Sequence, residues 1–121
     1  QVKELLDVME IVDENEENVV IEIKGTKTSI GNAFNEENVY FDNHEIDLIK
    51  GDQIVVFSDG FADQFGGPRR KKYTYKRFRE FLLSIHDAPM DEQGELLIRE
   101  FESWQKNVSQ TDDVLVMSVK I

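Results

Sequence analysis

The chain has no cysteine among its 121 residues. That excludes disulfides, thiolate metal sites and cysteine nucleophiles. It has only two histidines, His44 and His86; each stands apart from any second His, and both read as structural or surface residues. Positive charge is also scarce: 14 Lys and Arg against 25 Asp and Glu give a net charge of −11. Such a chain repels nucleic-acid phosphates and anionic lipid, so no nucleic-acid partner and no membrane contact is expected. No apolar run approaches the roughly 20 residues that cross a bilayer. Residue 1 is Gln and no signal peptide precedes it, so the expectation is a cytoplasmic piece of something longer. What is present argues for a folded globule: 40 % hydrophobic residues, eight of them Phe, in a length that suits a single domain with a modest core.

The organising stretch is residues 51–67. A turn at Gly51-Asp52 leads into an apolar run from Ile54 to Phe57, which breaks at Ser58-Asp59-Gly60. The run reads as a buried strand. A carboxylate at the end of such a strand, with Gly60 beside it, lets backbone come close to whatever the carboxylate holds, and hard divalent cations prefer oxygen ligands. A second acidic pair, Asp112-Asp113, precedes the last apolar run, Val114 to Val119. Two strands with these acidic boundaries could gather Asp59 and Asp112 at one end of a sheet. The competing reading is that Asp-Gly and Asp-Asp are turn residues and nothing more.

Along the rest of the chain, residues 1–12 suit either a helix, with apolar groups at 2, 5, 6, 9 and 12, or a strand from Val8 to Val12. Asp13 to Asn18 has a superficial similarity to a calcium loop, but Asn18 replaces the required glycine and Lys24 the terminal Glu; a hairpin turn is the simpler reading. Val19 to Lys24 alternates as a strand. Residues 32–38 read as a loop, and Val39 to Phe41 and Glu45 to Leu48 as extended segments of an antiparallel meander. Gly66-Gly67-Pro68 and the basic run Arg69, Arg70, Lys71, Lys72 form either a flexible exposed loop or an anion-attracting flap able to meet a phosphorylated substrate. Thr74 is the expected cap of a helix with Phe78, Phe81, Leu82 and Ile85 on one face, and Asp91 the cap of a second with Leu96, Leu97, Phe101 and Trp104. The layout is α+β: an antiparallel sheet with two consecutive helices on one face.

These residues, in this order, resemble the metal-dependent (type 2C, PPM) protein serine/threonine phosphatases, and more closely their bacterial SpoIIE-type branch. The similarity lies in Lys50 to Pro68 with Ser58-Asp59-Gly60, the two helices, and Thr111-Asp112-Asp113-Val114, with Glu22 to Gly31 as a lead-in. It covers about residues 18–121, leaving 1–17 as an unassigned lead-in. It implies a partial domain, the C-terminal half of a PPM-type α-β-β-α sandwich, working in bacterial signal transduction. It also implies a dinuclear Mn²⁺/Mg²⁺ centre that hydrolyses phosphoserine or phosphothreonine, with Asp59 and Asp112 as ligands of one ion, Gly60 as backbone beside it, and Asp63 helping to hold a further, weaker ion.

The chain departs from that family in one respect. No Asp-Gly element of the kind that bridges two metals lies before residue 51. The expectation is therefore a fragment inactive, or nearly so, by itself, with a bared sheet face that invites self-association. The alternative is a phosphatase-like module that binds a signalling partner without chemistry.

Overall fold

The computed structural model describes residues 9–29 and 40–121. Three two-stranded antiparallel ribbons and three helices make up these residues. The first ribbon pairs β1 (Met9–Glu14) with β2 (Val19–Ile23), with a bulge between Ile11 and Asp13. Asn15 closes its hairpin: the side-chain carbonyl accepts from the backbone N–H of Glu17 at 3.0 Å and of Asn18 at 2.7 Å. The strand reading thus holds for the described part of residues 1–12, and the acidic segment is a hairpin turn. The apolar positions before residue 9, the loop at 32–38 and the start of the segment at Val39 lie outside the described residues.

The central ribbon pairs β3 (Gln53–Phe57) with the final strand, numbered β6 below, running from Gln53 opposite Lys120 to Phe57 opposite Val116. Between them come the short helix α1 (Gly60–Asp63), a small hairpin of β4 (Phe65–Gly66) and β5 (Lys71–Lys72), then α2 (Tyr75–Ile85), α3 (Met90–Gln105) and β6 (Val116–Lys120). The aromatic spacing read as helical is the packing face. Phe61 on α1 is the hub, its ring 5.1 Å from Tyr73, 4.8 Å from Phe78 and 5.1 Å from Phe101. Leu82, Leu97, Trp104, Val114 and Val116 close around that cluster. Full burial of Phe78 contributes about 2–3 kcal/mol. Burial, and then the hydrogen bond its hydroxyl donates to Glu100 at 2.9 Å, hold the Tyr73 hydroxyl well above its ordinary ionisation range.

Three expectations need correction. The strand Ile54–Phe57 is not buried on both sides. Helices cover one face of the ribbon only, so alternate residues point out and Val56 is 60 % exposed. Residues 45–48 form no strand; the alternation of Ile46 and Leu48 finds no ladder partner among the described residues, and both are exposed. The second long helix is capped by Pro89, and Asp91 sits in its first turn, where a carboxylate complements the helix dipole. Thr74, by contrast, does cap α2, accepting from the Arg77 N–H at 3.4 Å.

Candidate metal centre

The end of β3 and the start of β6 are joined by one serine. Ser58 Oγ donates to the Asp113 carbonyl at 2.9 Å and accepts from the Leu115 N–H at 2.9 Å, while the Ser58 N–H donates to the Leu115 carbonyl at 2.9 Å. Gly60 completes the junction. A Cβ there would collide with the Asp113 carbonyl, so only glycine permits this approach of backbones. The segment carrying Asp59 and the segment carrying Asp112 are thereby held against each other, as the acidic strand boundaries suggested.

Asp59 is exposed and precedes α1, leaving its side chain out of any capping bond. Its carbonyl accepts from the Asp63 N–H at 2.9 Å, so the two carboxylates lie one helical turn apart. Tyr75 borders them: desolvation first, then the Asp63 and Asp59 carboxylates, push its hydroxyl above the usual range. Asp112 is also exposed; its carboxylate accepts from the Asp113 N–H at 2.8 Å, an arrangement that shapes the turn. The competing turn reading therefore describes part of what Asp112 does.

Asp63 is engaged differently. Its carboxylate accepts from Lys72 Nζ at 3.1 Å. The basic run belongs to the β4–β5 hairpin, with Arg69 and Arg70 in the turn and Lys71 and Lys72 on the returning strand. The basic run is thus the turn and returning strand of a hairpin, and one of its lysines reaches the acidic end.

The donor set is all oxygen, the chemistry that hard divalent ions take, and the glycine cradle lets backbone approach alongside. By kind, Asp59 and Asp112 offer the oxygen donors that Mn²⁺ or Mg²⁺ would take, on segments that Ser58 and Gly60 bring side by side. Among the described residues no cluster of three or more Asp, Glu, His or Cys stands close enough to hold an ion unaided, so the six-fold shell such ions need would be filled from outside this set.

One residue that matters here carries no signal in the sequence. Gln64 follows the acidic motif directly and is fully buried. Its Nε2 donates to the carbonyls of Phe65 and Ser109, each at 3.0 Å, and its Oε1 accepts from the Thr111 N–H at 3.1 Å. It fixes the loop that delivers Asp112. His86 lies in a separate structural network, with Nδ1 3.1 Å from Gln53 Oε1 and its carbonyl accepting from Lys120 Nζ at 3.0 Å.

Residues 11–121 match the family model described as stage II sporulation protein E (SpoIIE). Among solved structures the chain is similar to the SiaA-PP2C domain of Pseudomonas aeruginosa, with a TM-score of 0.73 and 28 % identity. That match covers 87 % of this chain and 40 % of the other, so the chain spans less than half of the solved relative's length. No curated protein matches significantly. Among the described residues no helix is long and apolar enough to cross a membrane.

Proposed function

Since the chain belongs to the SpoIIE family of phosphatase-type domains, we propose that it forms part of a metal-dependent phosphoprotein phosphatase acting on phosphoserine or phosphothreonine in bacterial signalling. The observation that carries this reading is the junction at Ser58 and Gly60, which holds the Asp59 and Asp112 segments together. Asp59 and Asp112 would help to hold a Mn²⁺ or Mg²⁺ ion, whose chemistry when bound would be to acidify a water and offset negative charge on the phosphate. The chain's own residues position and exclude: Asp59 and Asp112 offer ligand oxygens, Ser58 locks their spacing, and Gly60 leaves the room. Asp63 would join in holding a further ion once Lys72 swings aside. Both partners of that pair are substantially solvent-accessible, and exposed pairs contribute only about 0–1 kcal/mol, so a divalent ion can displace the ammonium.

A second reading, a non-catalytic module that recognises a signalling partner, is favoured by the same ion pair: a cation already sits on Asp63. Calorimetric titration with Mn²⁺ separates the two. The phosphatase reading expects binding by the chain that disappears in an Asp59→Ala, Asp112→Ala double variant, and only weak hydrolysis of p-nitrophenyl phosphate by the chain alone. Equal Mn²⁺ binding in both proteins would overturn the assignment of these two aspartates. Turnover matching that of an intact phosphatase domain would overturn the expectation that further ligands are required.

A further inference from the structure

Five cations converge on one cleft of this acidic chain. Arg69, Lys71 and Lys72 come from the β4–β5 hairpin, Lys76 and Arg77 from the first turn of α2, and Trp104 near the end of α3 closes one side around a volume of about 440 Å³. Glu80 is the lone acid on the lining, and its carboxylate faces Lys76 at 3.9 Å. Lys72 turns away to Asp63. Among the described residues, Arg69, Lys71 and Arg77 have no carboxylate within 4.0 Å. The excess of positive charge in the cleft is therefore uncompensated, although the whole chain carries −11.

The cleft is built from ordered parts. Gly67, at φ +68°, makes the turn that L-residues resist, and its N–H donates to the Trp104 carbonyl at 2.8 Å, tying hairpin to helix. Arg77 lies over the Trp104 ring at 4.4 Å and near the Tyr73 ring at 5.7 Å. A cation held over an aromatic face is positioned by the ring, and a guanidinium so placed can still offer N–H groups to a bidentate acceptor. A guanidinium fork with lysines beside it suits a compact, highly charged oxyanion better than a lone carboxylate.

We propose that this cleft binds the phosphorylated side chain of a protein segment, with the phosphoryl oxygens on Arg77, Arg69 and Lys71 and neighbouring peptide against Trp104. A phosphoserine or phosphothreonine brings about two negative charges and three acceptor oxygens to one point. Nucleic acid and anionic bilayers spread their charge over surfaces that the rest of this chain repels. The choice of a protein segment as the phosphate carrier rests on the phosphatase-family reading; the anion site itself does not. Asp59 and Asp112 are absent from its lining, so the cleft takes hold of a phosphorylated partner apart from the carboxylates.

Trp104 is the chain's single tryptophan, so all tryptophan emission comes from the wall of this cleft. The test titrates a short phosphoserine peptide, and the same peptide unphosphorylated, into the chain in excess EDTA, following Trp104 emission and the anisotropy of a label on the peptide. Saturable binding is expected, about tenfold weaker or worse without the phosphate and in an Arg69→Gln, Lys71→Gln variant of unchanged Tm. An Asp59→Asn, Asp112→Asn variant is expected to bind as the parent does, so a failed metal reading leaves this one standing. No saturable binding by either signal, equal affinity for both peptides, no loss in the charge-deleted variant, or loss in the aspartate variant would each overturn it.

Discussion

At the scale of single residues, Gln64 shows how a side chain away from the ligands can govern them. Besides its three side-chain bonds, its carbonyl accepts from Trp104 Nε1 and from the Tyr73 N–H, both at 2.9 Å. One residue thus touches the hairpin, α3 and the loop leading to Asp112. Gln64→Leu would keep the volume but leave the Ser109 carbonyl and Thr111 N–H without their partner. Ser109 and Thr111 are exposed, so water can reach part of what is orphaned, and a loss of about 1–3 kcal/mol is expected in urea unfolding. A loss below about 0.5 kcal/mol would show that water replaces those bonds entirely. The sequence could not announce this. Asp59, Gly60 and Asp112 were legible because strand ends, glycine and acidic pairs have local signatures. A buried glutamine looks like any surface glutamine until the chain is folded around it.

Among the elements, α2 and α3 were the most legible, because their apolar residues recur at the helical period and Thr74 stands where a cap should. The cap has an unusual backbone: Thr74 sits at φ 83°, ψ 148°, a region nearly reserved for glycine. Its capping bond is long, at 3.4 Å. Thr74→Ala keeps the strain and loses the cap, so a loss of about 1 kcal/mol is expected. Thr74→Gly loses the same bond but relieves the backbone, and should be at least as stable as the parent in thermal unfolding. A glycine variant less stable than the alanine one would refute this account. The hairpin β4–β5 escaped the sequence because strands of two residues are shorter than any periodic signal. Residues 45–48 misled in the opposite way, since alternation marks a strand only when a neighbour is there to pair with it.

The molecule as a whole is two-faced. On the central ribbon the register sets Ile54 opposite Val119 and Val56 opposite Met117, all exposed, with Leu115 and Ile121 continuing the row along the chain. Ile11, Val19, Ile21 and Ile23 are likewise exposed on the first ribbon. Contiguous apolar surface of this kind draws partners, while the charge of −11 keeps copies apart. The chain is therefore expected to self-associate in sedimentation velocity, more strongly as salt screens the repulsion. A Val56→Lys, Val119→Lys variant should stay monomeric. A parent chain that is monomeric at every concentration and salt level would refute the expectation. The sheet-plus-helices layout was readable from pattern, and a bared face was expected from the missing half-domain; which side chains line it was not legible, because an apolar strand reads the same whether one side or both are covered.

The bond from Ser58 to Asp113 spans 55 positions of sequence. During synthesis, Asp59 is made well before the residues that fix its neighbourhood. Closing so wide a loop is slow and entropically costly, and among the described residues β3 pairs with β6 alone. A nascent chain stalled before residue 113 holds one acidic end with nothing opposite it. The two aspartates are held together only once β6 has been made and has paired with β3, so this junction closes after both helices between them have been synthesised.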